Sequence, residues 1–180
     1  MLLLGHLALG YLVTYFLLKF LNLGLSVADT HFILVLGTIF GAIVDLDFLS
    51  FFIKHKTLRL EKDVSHRDQI SHAPIVWLII GLLIYFFSSD ILSKTVGLVL
   101  FISVWGHFLF DTFEHGIMWL YPISRKRYRI FKEKEMKQTG KEGLVEHYWK
   151  FFIDFYPTTK TFWTELLVII IFLLVYFKIV

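Results

Sequence analysis

Residues 91–120 read ILSKTVGLVLFISVWGHFLFDTFEHGIMWL. A helix of roughly 20 mostly apolar residues crosses a bilayer core of about 30 Å, and this run is long enough to do so. It also carries His107, Asp111 and Glu114 in its second half. The apolar length predicts a membrane span, while the embedded acids and imidazole predict a face turned towards protein rather than lipid.

Four further runs share the pattern, at residues 2–22, 31–53, 73–88 and 162–180. The chain of 180 residues is 57% hydrophobic, above the roughly 45–50% of a soluble domain. The reading is therefore an all-α, polytopic membrane bundle of about five transmembrane helices, forming one domain over 1–180. The first run has no basic flank or small-residue cleavage pattern and reads as a retained helix. Ser88, Ser89 and Asp90 form a polar turn that makes the third and fourth runs an antiparallel hairpin. Asp29 or Thr30 is placed to cap the second run, Pro74 sits in the first turn of the third, and Thr158 to Thr161 precede the last. Gly37 and Gly41 form a small-xxx-small pair suited to packing within the bundle.

Charge supplies orientation. Of 18 Lys and Arg, five lie between Lys54 and Arg67 and ten between Arg125 and Lys160. With five crossings, the loops near 54–72 and 121–161 share a side with the N-terminus, and the positive-inside rule makes that side cytoplasmic. The segment Leu144 to Tyr156 is rich in aromatic residues and is expected to lie flat at the headgroup level. The basic residues after Arg125 alternate with Glu133, Glu135, Glu142 and Glu146, which argues against nucleic-acid binding. The chain has no cysteine, so thiol catalysis and thiolate metal sites are excluded. Any metal must be held by nitrogen and oxygen.

Asp45, Asp47, Asp111 and Glu114 would together cost about 10 kcal/mol if they faced lipid at full depth. Their spacing within each run, with His6 and His72, places them in one layer near the cytoplasmic ends of several helices. His107 and Asp111 are i, i+4 and project from one helix face, as two ligands of one cation must. Glu114 stays on that face, and His115 either joins it or caps the helix. In a regular helix Asp45 and Asp47 point apart, so one is a ligand and the other its supporting partner, or the helix unwinds there. Asp45 is the preferred ligand. Taken singly, each residue has an ordinary role: His31 and His147 as interfacial or capping groups, His55 in a solvated loop, and His6 at the interface. The joint pattern favours a metal site over a structural polar core.

These motifs, namely His6 in an N-terminal Gly-His helix, Val-Asp-Leu-Asp at 44–47, His-Arg-x-x-x-Ser-His at 66–72, Gly-His-x-x-x-Asp at 106–111 and Gly116 before Leu-Tyr-Pro at 120–122, resemble the YdjM-like membrane-bound metal-dependent hydrolase family. The resemblance covers residues 1 to about 130. It implies a helical membrane protein with a divalent metal centre and hydrolase activity, with His6, Asp45, Asp47, His66, His72, His107 and Asp111 at the metal-ligating positions. The order of ligands is also similar, more distantly, to the zinc-dependent phospholipase C fold. Val44 stands where the family often has proline, and Ala73 where serine is common.

Mixed imidazole and carboxylate ligands suit Zn²⁺ first, then Mn²⁺ or Fe²⁺, as one or two ions. Such a centre supplies hydroxide at neutral pH. Arg67 is expected to hold an anionic oxygen, with lipid-headgroup binding as its ordinary role, and Asp111 or Asp68 to act as general base. The depth and the basic loops point to a lipid phosphoester or other ester at the cytoplasmic leaflet as substrate. Two rival readings are a metal- or proton-coupled transporter, for which no internal repeat is visible, and a lipid-binding adaptor using Arg125 to Lys141.

Overall fold

A computed structural model describes residues 2–47, 53, 69–132 and 144–178. The described residues form a helical membrane bundle without strands; an antiparallel bridge joins Ile117 to Tyr128. Among the described residues the α-helices with defined bounds are, in order, α1 (Leu3–Leu21), α2 (Val27–Ala42), α3 (Pro74–Phe87), α4 (Ile91–Glu114), α5 (Leu144–Lys150) and α6 (Lys160–Tyr176). A tight 3-10 turn, Ile43–Leu46, extends α2, and another, Ile70–His72, leads into α3.

Local chemistry sets the helix boundaries. Ser26 caps α2 by accepting the Asp29 N–H at 3.1 Å, and the helix starts at Val27, four residues before the expected start of that span. Asp90 accepts the Ser93 N–H at 2.8 Å and starts α4, and Thr159 accepts the Phe162 N–H at 3.2 Å and starts α6. Pro74 is the first residue of α3, where its missing N–H costs nothing. The fourth run stops at Glu114 rather than 120 because Gly116 adopts φ +84° and its N–H folds back to the Asp111 carbonyl. A side chain at that φ would be strained, so glycine ends the helix there.

Length separates the helices. Leu3–Leu21, Val27–Leu46 and Ile91–Glu114 are long and apolar enough to cross a membrane. The 14 residues of α3 rise about 21 Å, short of a hydrocarbon core of about 30 Å. Five crossings were expected; among the described residues three helices meet the length requirement, and a fourth does if the bent pair Tyr148–Thr158 and Lys160–Tyr176 is one span. That pair bends by 85° at Thr159. If α6 stands along the membrane normal, the aromatic helix before it runs in the membrane plane. It exposes Val145, Trp149, Phe152 and Ile153.

Helix α4 is the centre of the bundle, packed by α1, α2 and α3. One apolar cluster joins Ala8, Leu9 and Leu12 of α1 to Val168 and Val175 of α6. Another joins Val44 to Leu100, Val104 and Phe108 of α4, with Trp77 and Trp119 against it. Large apolar side chains such as Phe16, Phe20, Phe86 and Phe87 point outward, as a lipid-facing surface requires.

The α1–α2 crossing is the closest packing that bears on function. A Cβ on Gly10 would lie 2.3 Å from the Gly37 carbonyl oxygen, and one on Gly41 would lie 2.3 Å from the His6 carbonyl oxygen. Gly37 and Gly41 thus serve packing within the bundle. This contact holds the first turns of α1 beside the last turn of α2.

Candidate metal centre

Four segments bring polar side chains to one end of the bundle: the start of α1, the turn after α2, the turn before α3, and the last turns of α4. His6, His72, His107 and Asp111 are each wholly buried, and Asp45 keeps 17% of its side chain exposed. His6 Nε2 lies 3.4 Å from Asp111 Oδ1 and 3.8 Å from Asp45 Oδ2. His107 Nε2 lies 3.7 Å from Asp45 Oδ1 and 3.8 Å from Asp111 Oδ2. His72 Nε2 lies 3.9 Å from Asp45 Oδ1.

These separations discriminate between two kinds of cluster. Direct N–H···O hydrogen bonds would bring the atoms to about 2.7–3.2 Å. Two ligands each 2.0–2.1 Å from one tetrahedral ion stand about 3.4 Å apart. The observed separations are longer than hydrogen bonds and compatible with ligands that share an ion. Two groups, His6 with His107 and Asp111, and Asp45 with His72 and His107, each offer three ligand atoms within 4.8 Å of one another and could hold a metal ion.

The remaining contacts orient the rings. His107 Nδ1 lies 2.9 Å from the Gly41 carbonyl oxygen, which can only accept, so Nδ1 carries the proton and Nε2 faces the cluster. His72 Nδ1 lies 2.6 Å from Asp47 Oδ2, and Ser71 donates its hydroxyl to the same oxygen at 2.5 Å. Asp47 therefore stands behind His72 and not among the inward-facing atoms. His72 is bracketed by two carboxylates, Asp45 at Nε2 and Asp47 at Nδ1. The 3-10 turn makes this possible, since it tightens the chain where a regular helix would have sent Asp45 and Asp47 apart. Such a carboxylate behind an imidazole fixes its tautomer and raises its basicity. The Gln69 amide donates to the Asp47 carbonyl at 3.3 Å and pins the turn before α3 to the turn after α2, while the Trp77 indole N–H donates to the Ser71 carbonyl at 2.6 Å and holds that turn against α3.

Charge also bears on the site. Asp45, Asp47 and Asp111 gather three carboxylates about three imidazoles in an apolar surround, where uncompensated negative charge is costly and a bound cation would offset part of it.

His66, Arg67 and Asp68 lie outside the described residues. His115 ends α4, its N–H bonded to the Asp111 carbonyl at 3.0 Å. His31 is exposed on α2. Glu114, expected on the cluster face, does something else: its carboxylate accepts the Lys160 and Thr161 N–H groups, each at 3.0 Å, and the Thr161 hydroxyl at 2.5 Å. It caps α6. Glu165 escaped the sequence reading, although it is the lone acid between 162 and 180 and the same burial cost applied to it. Its carboxylate accepts the Leu2 N–H at 3.1 Å, the Gly5 N–H at 2.9 Å and the Tyr156 hydroxyl. Burial, and then the adjacent Glu165, push Tyr156 far above the usual phenol range, so it keeps its proton and donates.

The family model described as YdjM inner membrane protein matches residues 1–180. The chain belongs to that family. A membrane location for this YdjM family member accords with both the match and its apolar helices. Comparison with curated proteins and with solved structures found no match.

Proposed function

We propose that the chain is a membrane-embedded, metal-dependent hydrolase whose centre is formed by His6, Asp45, His72, His107 and Asp111. The observation that carries this reading is the set of five imidazole–carboxylate separations of 3.4–3.9 Å among five residues drawn from four segments. Three imidazoles and two carboxylates suit Zn²⁺ first, with Mn²⁺ and Fe²⁺ as alternatives. A divalent ion held there lowers the pKa of water and polarises an ester oxygen.

The chain's own groups do the rest. Asp111, wholly enclosed between His6 and His107, serves as a ligand. Asp45 keeps 17% of its side chain exposed against 6% for Asp47 and 0% for Asp111, so among the described cluster carboxylates it is the one most open to an arriving water or ester. Apolar Leu46 and Ile70 are exposed beside Asp45 and His72 respectively, which suits a substrate with a hydrocarbon part. Arg125, Lys126, Arg127 and Arg129 are exposed on the segment that follows α4. Its backbone is tied to the helix carrying Asp111 through the Ile130 N–H and the Thr112 carbonyl at 2.9 Å. With the positive-inside rule this supports a cytoplasmic N-terminus and a lipid phosphoester or other lipid ester at the cytoplasmic leaflet.

Metal analysis of the purified protein beside His107→Ala and Asp111→Ala tests the centre. Stoichiometric metal in the parent and its loss in both variants is the expected result; equal metal in all three overturns it. Incubation with phospholipid mixed micelles, following released phosphate, headgroup and fatty acid, then tests the reaction.

A further inference from the structure

The three buried imidazoles are not held alike. His107 and His72 each have a ring nitrogen anchored from behind, by the Gly41 carbonyl and the Asp47 carboxylate. Neither ring nitrogen of His6 makes a hydrogen bond among the described residues. Its ring stacks on His107 with centroids 3.7 Å apart, which limits its tilt. Where its Nε2 stands along the helix axis is therefore decided by the backbone of α1.

That backbone is fixed at its first turn by Glu165. The carboxylate, buried on α6, accepts the N–H of Gly5, the residue immediately before His6, and the N–H of Leu2. The Gly5 N–H is shared between this carboxylate and the Leu2 carbonyl at 3.1 Å, and an anion at a helix N-terminus is further favoured by the helix dipole. The Tyr156 hydroxyl donates to the same carboxylate and orients it.

We propose that Glu165 is the positioning residue of His6: it sets the axial height of α1 and so supplies the constraint that the other two imidazoles receive directly on their rings. This rests on the reading of the cluster as a metal centre. Glu165 touches neither ligand nor substrate, and its effect on the centre passes through His6 alone.

The test is a double-mutant cycle in metal affinity on the full-length protein in detergent, read by competition of Zn²⁺ with a chromophoric chelator. Loss of a supporting partner behind a metal ligand costs about 10–100-fold in affinity, and Glu165→Ala is expected to show a loss of that order. In a His6→Ala background the same substitution is expected to cost no more than about twofold, the scatter of independent effects. Glu165→Gln is expected to recover part of the loss, since its amide oxygen still accepts an N–H. Ser26→Ala, which removes a helix cap at the far end of the bundle, is expected to leave affinity unchanged.

If the penalties of His6→Ala and Glu165→Ala multiply, or if Ser26→Ala weakens binding as much as Glu165→Ala, the proposal is overturned. If Glu165→Ala does not fold, the cycle is run with Glu165→Gln and judged by the same criterion. His107→Ala separates the two levels. Full affinity in that variant removes the metal centre and the proposal with it, whereas lost affinity there with multiplying penalties removes the role of Glu165 alone.

Discussion

His6 and His107 stack with ring centroids 3.7 Å apart and planes 20° from parallel. Two imidazolium cations at that distance in an apolar interior would repel strongly, so the pair is compatible with neutral rings. Neutral imidazole is the form that offers a lone pair to a metal.

The first prediction concerns pH. Binding requires neutral imidazoles and ionised carboxylates, so protons compete with the metal as the solution is made acidic. Metal-dependent stabilisation is expected to be full at neutral and mildly alkaline pH and to shrink progressively as pH is lowered. The unfolding temperature with and without added Zn²⁺ measures it. A gap between the two that grows as pH is lowered would contradict the centre.

Asp45 and Asp47 should separate in their effects. Asp45→Asn is expected to weaken Zn²⁺ binding by more than 100-fold, because a charged inward-facing oxygen is lost. Asp47→Asn is expected to cost about 10–100-fold, since it stands behind His72. The reverse order, in chelator competition, would mean that Asp47 rather than Asp45 is the ligand.

Gly41 and Gly106 form a contrasting pair. A Cβ at Gly41 would meet the His6 backbone oxygen at 2.3 Å, whereas one at Gly106 finds its nearest atoms at 3.7 Å. Gly41→Ala is expected to destabilise by about 1–3 kcal/mol or more and to loosen metal binding by separating α1 from α2. Gly106→Ala, next to His107, is expected to be neutral or stabilising by up to about 1 kcal/mol. Thermal unfolding followed by tryptophan fluorescence reads both, and a fully stable Gly41→Ala would refute the close crossing.

Glu114→Ala leaves two helix N–H groups unpaired, at a cost of about 1–3 kcal/mol. It is expected to lower the unfolding temperature while the purified protein keeps its full metal content. Loss of metal without loss of stability would return Glu114 to the centre.

Much of this arrangement was legible in the sequence because burying charge is expensive. That cost singled out Asp45, His107 and Asp111 in apolar runs, and the structure brings them together with His6 and His72. It did not distinguish acids that face a cluster from acids that face a helix terminus. Glu114 and Asp111 lie three residues apart on one helix, and only the position of α6 decides that Glu114 caps a neighbour. The sequence already favoured Asp45 over Asp47 for the cluster, because two positions on one helix point apart; the tight turn at Ile43–Leu46 that sets Asp47 behind His72 is the part that periodicity cannot show. Spans were placed well where caps were explicit, as at Asp90, and less well at Ser26 and Gly116, where the turn geometry outweighed the apolar count.

Glu165 and Gly5 are separated by 160 positions in the chain. The carboxylate contact on the first turn of α1 therefore cannot form until α6 has been synthesised. A chain interrupted before Glu165 would hold His6, Asp45, His72, His107 and Asp111 but lack the anchor behind Gly5.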